Sequence, residues 1–292
     1  MQVTNRLNLP EPLVKAVTRP LREHVARRIG ITELLQPPQL RALKIKHEAE
    51  LTEDASDRIW ALLGTLLHGV LERNAQGLKD YVAEEKLTME ILGWTVVGKY
   101  DLSNLVLDGE ILTDWKLTSI YQFKDKEVKP EWTKQLNCYA ELLRRNNYNV
   151  KQVQVVAIGR DWSRAKSLRE SDYPQEQVKV VPIELWDSTR ATEFLEQRIR
   201  LHEQAEESGV WPDCNDEDMW ARPSEWALMR KGRKKAVKLF ITKETAEKWL
   251  DGILGGDKSH FIVEREGQRI RCQGYCPVSA FCSQYQNYKG DN

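Results

Sequence analysis

The sequence predicts an α/β protein built around a mixed sheet. Three observations carry that reading. Hydrophobic periodicity changes along the chain from helical, to a meander of short alternating segments, to one helix, then to further strands. Turn signals punctuate the meander at Gly93 and at Ser103-Asn104. After Gly209 the pattern restarts as a smaller ββαβ unit.

In chain order, residues 12–28 and 32–46 read as helices, the second opened by Thr32 and holding the Pro37-Pro38 step near its start. A longer helix runs from about Ala55 to Gln76, with Ile59, Leu62, Leu63, Leu66, Leu67 and Val70 as its apolar stripe. Extended segments follow at 81–91, 93–102 and 105–117. Pro130 starts an amphipathic helix over 131–146. Strands at 150–159 and 177–185 precede a helix over 187–207. Beyond it come a hairpin turning at Lys231-Gly232, a helix over 242–253 and a last strand in HFIVEREG. The expected division is an N-terminal helical segment (1–50), a core (51–208) and a small α+β appendage (209–292).

The 292 residues, 41% hydrophobic and 30% charged, suffice for one large domain or two modest ones. No apolar run approaches the roughly 20 residues that span a bilayer, and MQVTNRLNLPEPLVK lacks a secretory apolar core. A soluble cytoplasmic protein without a membrane partner is expected. Net charge is zero, yet cations cluster: Lys15, Arg19, Arg22, Arg27, Arg28, Arg41, Lys44 and Lys46 lie within 13–47, and RKGRKK covers 230–235. Such patches suit either a solvated surface or a polyanion groove. Five cysteines in such a protein do not read as a disulfide framework, and three of them, in CQGYCPVSAFC (272–282), suggest a metal.

The stretch ILTDWKL (111–117) sets Asp114 and Lys116 two apart in an apolar run. On a strand they share one face. The pair is either a surface ion pair, worth about 0–1 kcal/mol, or half of a site holding a metal and a water. Asp101 ends the preceding segment in GKYD, and a return at Ser103-Asn104 would bring the two acids together. Close carboxylates repel unless a cation lies between them, and hard oxygen donors suit Mg²⁺ or Mn²⁺. His68 lies in the 55–76 helix, Glu85 precedes Asp101 by one strand, and Gln135 and Tyr139 form an i, i+4 pair on the next helix.

The ordered set GTLLH (64–68), GKYD (98–101), TDWK (113–116) and QLNCY (135–139) resembles the PD-(D/E)XK nuclease superfamily, in its RecB-like exonuclease branch. That branch includes CRISPR-associated and AddAB nuclease domains. The resemblance spans about residues 55–160 and implies a restriction-endonuclease-like αβββαβ core. It implies that His68, Asp101, Asp114 and the Trp115 carbonyl hold the metal and that Lys116 is the catalytic lysine. Gln135 and Tyr139 would position DNA or the lysine, with Glu85 an accessory acid. Asp114 stands where the superfamily commonly has Glu. NRLNLPEPLV, ITELLQPP and YCPVSAFC also resemble RecB-like nucleases of bacteriophages, placing the protein in a bacterial or phage-infected cell.

Relatives with a C-terminal C-x₂-C-x₅-C carry a [4Fe–4S] cluster whose first cysteine precedes the core. Here the spacing is Cys272-x₃-Cys276-x₅-Cys282, and no cysteine precedes His68. Cys214 is the candidate fourth ligand, and Zn²⁺ is the alternative to iron–sulfur. Cys138 reads as a packing residue. The function implied is a Mg²⁺- or Mn²⁺-dependent DNA exonuclease acting on single strands or duplex ends, in recombination, repair or phage DNA processing. A homo-oligomer or a recombination partner protein is compatible with it. The 13–47 cations would line the phosphate path, and Trp115, Trp132 and Tyr121 would stack on bases. The alternatives are an endonuclease, structure-selective or of the CRISPR-adaptation kind, and a non-catalytic DNA-binding recombination partner.

Overall fold

The computed structural model describes residues 2–18, 24–124 and 127–290; Arg19, Arg22 and Glu23 of the basic segment lie outside them. The chain divides into two compact units, Met1–Trp211 and Pro212–Asn292.

In the first unit, β1 (Arg28–Gly30) precedes two short helices, Ile31–Leu34 and Pro38–Lys46. Of the helix expected over 12–28, the described residues form Glu11–Val17, and Arg28 instead opens a strand, Arg28–Gly30, whose parallel partner begins at Thr95. Next come α1 (Ile59–Ala75), β2 (Tyr81–Ala83), β3 (Lys86–Ile91), β4 (Trp94–Lys99), β5 (Leu102–Val106) and β6 (Gly109–Thr118). After α2 (Pro130–Arg145) follow β7 (Val150–Gly159), β8 (Val178–Ile183) and α3 (Ser188–Ser208).

A five-stranded sheet runs β8-β7-β6-β5-β2, with only β6 and β7 parallel. A three-stranded sheet runs β1-β4-β3. The sheet is mixed, as the element order requires, since a parallel β6–β7 pair needs the α2 crossover between them. The hairpin joining β5 to β6 turns at Leu107-Asp108, not at Ser103-Asn104, both of which lie inside β5.

The chain passes between the two sheets twice. It leaves the first after Ala83 and returns to it at Leu102. The crossing points are tied by two backbone bonds: the Glu84 N–H donates to the Asp101 carbonyl at 3.1 Å, and the Tyr100 N–H to the Glu85 carbonyl at 3.3 Å. Glu84 adopts φ +57°, a left-handed conformation unusual for a side chain of this size. The core joins Trp94, Val96, Leu112, Leu136, Leu142, Leu143, Val153, Val155, Leu195 and Ile199, with α2 packed against both sheets and α3 against α2 and β3. At Gly98, β4 lies directly against side chains of α2. A Cβ there would lie 2.5 Å from Leu142 and 2.8 Å from Tyr139.

Two cations of the basic segment are engaged by acids. Arg41 is buried, contacts Glu33 and Glu206 and lies over the Trp94 ring. Arg27 reaches Glu203 and Glu207 at 3.4 Å. Glu203, Glu206 and Glu207 sit on α3 and Glu33 on the Ile31–Leu34 helix, which corrects the expectation that Arg27 and Arg41 line a phosphate path. Also on α3, buried His202 uses Nε2 toward the Leu34 carbonyl at 3.0 Å. Burial pulls its pKa down to about 4. The unfolded chain then binds a proton near pH 6.5 that the folded protein refuses, so stability falls as pH drops from 7 toward 4. At pH 5 the loss should be about 2 kcal/mol. Urea midpoints at pH 7.5 and 5.0 should show that loss, and His202→Gln, which keeps a donor without titrating, should reduce it.

The second unit holds β9 (Glu225–Arg230), β10 (Lys238–Phe240), α4 (Lys243–Leu254) and β11 (His260–Arg265), the strands pairing antiparallel in the order β10-β9-β11. Thr242 caps α4 by accepting from the Thr245 N–H. A final helix, Ser283–Gly290, lies beside the Cys214 segment. Gln284 accepts from the Cys214 N–H at 3.0 Å and donates to its carbonyl at 2.8 Å. Among the described residues no helix is long and apolar enough to cross a membrane.

Candidate active site

Strand alternation on β6 puts Asp114 and Lys116 on one face, as the spacing required. Lys116 Nζ lies 2.6 Å from Asp114 Oδ2. From α2, Gln135 closes the pair into a ring. Its Oε1 accepts from Lys116 Nζ at 3.1 Å, and its Nε2 donates to Asp114 Oδ1 at 3.3 Å. Only this amide orientation satisfies an ammonium and a carboxylate together. Asp114 is 4% exposed. Burial pushes its carboxyl pKa up and Asp101 adds to that rise, while Lys116 and His68 oppose it. Tyr139, one helical turn past Gln135, is buried. Its hydroxyl is made less acidic first by burial and then by the charges of Asp114 and Asp101.

Beside this ring lies a second group. The β5–β6 register pairs Leu102 with Thr113, which sets Asp101 at the end of the ladder near Asp114. Asp101 Oδ2 accepts from the Trp115 N–H at 2.8 Å, and its Oδ1 lies 3.2 Å from His68 Nδ1. In extended backbone the N–H and C=O of one residue point the same way, so the Trp115 carbonyl faces the Asp101 side. His68 is presented by α1. Its pKa is raised to about 9, mainly by the hydrogen bond to Asp101, against the opposing effect of burial.

The third member is Glu84. Its Oε1 lies 3.4 Å from His68 Nδ1, and its Oε2 2.5 Å from Lys99 Nζ. One ligand atom from each of His68, Glu84 and Asp101 lies within 4.8 Å of the others. Glu85, the acid expected here, points elsewhere. Its carboxylate receives the hydroxyls of Tyr100 at 2.7 Å and Tyr148 at 2.5 Å. Glu84, in its left-handed conformation, and not Glu85 faces His68. Alternation alone would not reveal that, and Glu84 and Lys99 were both missed from sequence.

The donor set fits a hard divalent cation: one imidazole and two carboxylates converge, with a buried third carboxylate alongside. Asp101 raises the proton affinity of Asp114, and a cation bound beside them would oppose that effect. Asp114 itself is turned toward Lys116 and Gln135, so the cluster of three is His68, Glu84 and Asp101 rather than His68, Asp101 and Asp114.

A family model described as the PD-(D/E)XK nuclease superfamily matches residues 33–283, a span that holds every residue of this site. Among solved structures, the chain is similar to the crystal structure of SSO0001, at 18% identity and a TM-score of 0.43, over 62% of this chain and 79% of that one. It is also similar to a "Putative exonuclease" from Eubacterium rectale, at 16% identity and a TM-score of 0.32, over 46% of this chain and 48% of that one. None of the curated proteins matches at a significant level.

Proposed function

The chain belongs to the PD-(D/E)XK nuclease superfamily, and from that premise we propose that it is a Mg²⁺- or Mn²⁺-dependent DNA exonuclease acting at ends or on single strands. The observation that carries the reading is the Asp114–Lys116–Gln135 ring beside the His68–Glu84–Asp101 cluster. His68, Glu84 and Asp101 would hold the cation, joined by Asp114 and the Trp115 carbonyl. When bound, such a cation supplies charge stabilisation at the phosphate oxygens. The remaining chemistry belongs to side chains. Lys116 Nζ is fixed from two directions, by Asp114 and Gln135, which leaves its third proton free to orient the attacking water. Gln135 holds Lys116 and Asp114 in register, and Tyr139 backs α2 against β4 at Gly98. Asp101 orients His68 through Nδ1 and fixes β6 through the Trp115 amide.

The test uses linear and circular single-stranded DNA of one sequence with Mn²⁺. Nucleotide release from the linear form with the circle left intact is the expected result. Cleavage of the circle would make the enzyme an endonuclease, and no release from either form would overturn the nuclease activity itself.

We also propose that Cys214, Cys272, Cys276 and Cys282 hold a [4Fe–4S] cluster. Burial pushes the Cys214 thiol up to about 12, and the charge of Asp218, then Cys282 and Cys272, push the same way. Cys272 is raised by burial and then by Cys276 and Cys282. Cys214 and Cys272 are disfavoured as thiolates by neighbouring sulfurs, an effect that a cationic centre would relieve. Gln284 holds the Cys214 backbone beside the helix that begins after Cys282. Anaerobically purified protein should show broad visible absorbance that bleaches on reduction and is lost in Cys214→Ser. A colourless protein with stoichiometric zinc would replace the cluster with a zinc site.

A further inference from the structure

Trp60 opens α1 with its indole 64% exposed. The side chain is not loose. The Arg160 guanidinium carbon stands 4.6 Å from the ring centroid, which steadies one side of the indole by a cation–π contact. Arg160 is held in turn, its backbone N–H donating to the Thr118 carbonyl at 2.9 Å, just past the end of β7.

This pair lies along the same two elements that build the active site. Trp60 is eight residues before His68 on one helix, a separation of roughly 12 Å. Lys116 pairs with Ala157 and Thr118 with Gly159, so Arg160 lies three residues, roughly 10 Å, beyond the position facing Lys116. Both distances correspond to a few nucleotides of extended strand.

The surroundings are cationic and aromatic. Arg160, Arg164, Lys166 and Arg169 are exposed within ten residues. Asp161, the one acid among them, is occupied, accepting from the Ser119 hydroxyl at 2.9 Å and the Ile120 N–H at 2.6 Å. Tyr121 is 53% exposed nearby and meets Tyr173 edge-on, with Lys166 over the Tyr173 ring. Cations that track phosphates, interleaved with aromatic faces, are what an unpaired strand requires. A duplex keeps its base faces stacked inside and has none to offer an indole.

We propose that Trp60, steadied by Arg160, is a stacking platform for an unpaired base of single-stranded DNA leading to Lys116. This rests on the nuclease reading and narrows its substrate to a single-stranded segment. The apolar stripe continuing along α1 through Leu63, Leu66 and Val70, all exposed, extends the same surface.

The test is binding without hydrolysis. Anisotropy of end-labelled oligo(dT), and of a blunt duplex of equal length, is measured in EDTA for wild type, Trp60→Ala, Trp60→Phe and Arg160→Ala. Trp60→Ala should weaken oligo(dT) binding about 5- to 150-fold, the range that stacking of one base spans. Trp60→Phe should restore most of it, Arg160→Ala should fall between, and duplex binding should change little. Because Trp60 is exposed, the variants should melt with wild type. Unchanged oligo(dT) affinity in Trp60→Ala overturns the proposal, as does an equal loss on the duplex. A change in particle size with unchanged DNA affinity also overturns it and makes the stripe an interface between copies. None of these readings requires turnover, so an inactive enzyme would sink the nuclease reading and leave this one to be decided by binding.

Discussion

Replacing Lys116 with alanine should lower nucleotide release by at least about 10²-fold, and up to 10⁴-fold, the span that a positioned proton-transfer group contributes. The ammonium is the only cationic group on the ring, and removing it leaves Asp114 buried against Gln135 alone. Lys116→Arg should not rescue activity. Guanidinium is larger, and it stays charged at any workable pH. End-labelled DNA with Mn²⁺ reads the effect, and the melting curve shows whether the fold survives. If Lys116→Ala released nucleotides at the wild-type rate, the ring would be structural and the site would lie elsewhere.

Asp101→Asn should uncouple the protein from divalent cations. A ligand present at a hundred times its dissociation constant stabilises the folded state by about 2.7 kcal/mol. Saturating Mn²⁺ should therefore raise the wild-type Tm by roughly 5–10 °C. Asparagine can keep the bond from the Trp115 N–H through its carbonyl, so β6 should stay in place. It turns an NH₂ group toward His68 in place of the second carboxylate oxygen, and the Mn²⁺-dependent shift should disappear together with activity. Glu84→Gln should shrink the shift, whereas Glu85→Gln should leave it intact and lower the Tm by loosening the Tyr100 and Tyr148 hydroxyls. A reversed order of these two variants would return the accessory role to Glu85.

How much of this was legible depended on how local the cause was. Asp114 and Lys116 could be placed on one face because alternation is a two-residue rule, and Gln135 and Tyr139 because one helical turn is a four-residue rule. The mixed sheet followed from the order of periodicities. What was not legible came from distant or singular causes. Arg27 and Arg41 looked like free cations until α3, over 150 residues later, brought Glu203, Glu206 and Glu207 to them. Arg28 read as the last residue of a helix, and the strand Arg28–Gly30 went unseen because three residues have too few side chains to show a period. Glu84 was hidden because it stands between the two ladders, where its left-handed conformation follows neither strand's period.

The double crossing between the sheets bears on how freely this chemistry can change. Glu84, Glu85, Tyr100 and Asp101 sit where the chain belongs to neither ladder, and the bonds that close the crossing run from backbone to backbone. Such bonds are blind to side-chain identity. Apart from Asp101, whose carboxylate also holds the Trp115 amide, side chains at this seam can be exchanged at little expense to strand pairing, whereas an added methyl group at Gly98 must displace the side chains of Leu142, Tyr139 and Ile31. Laboratory evolution of metal preference should find its tolerated changes at the seam rather than at Gly98.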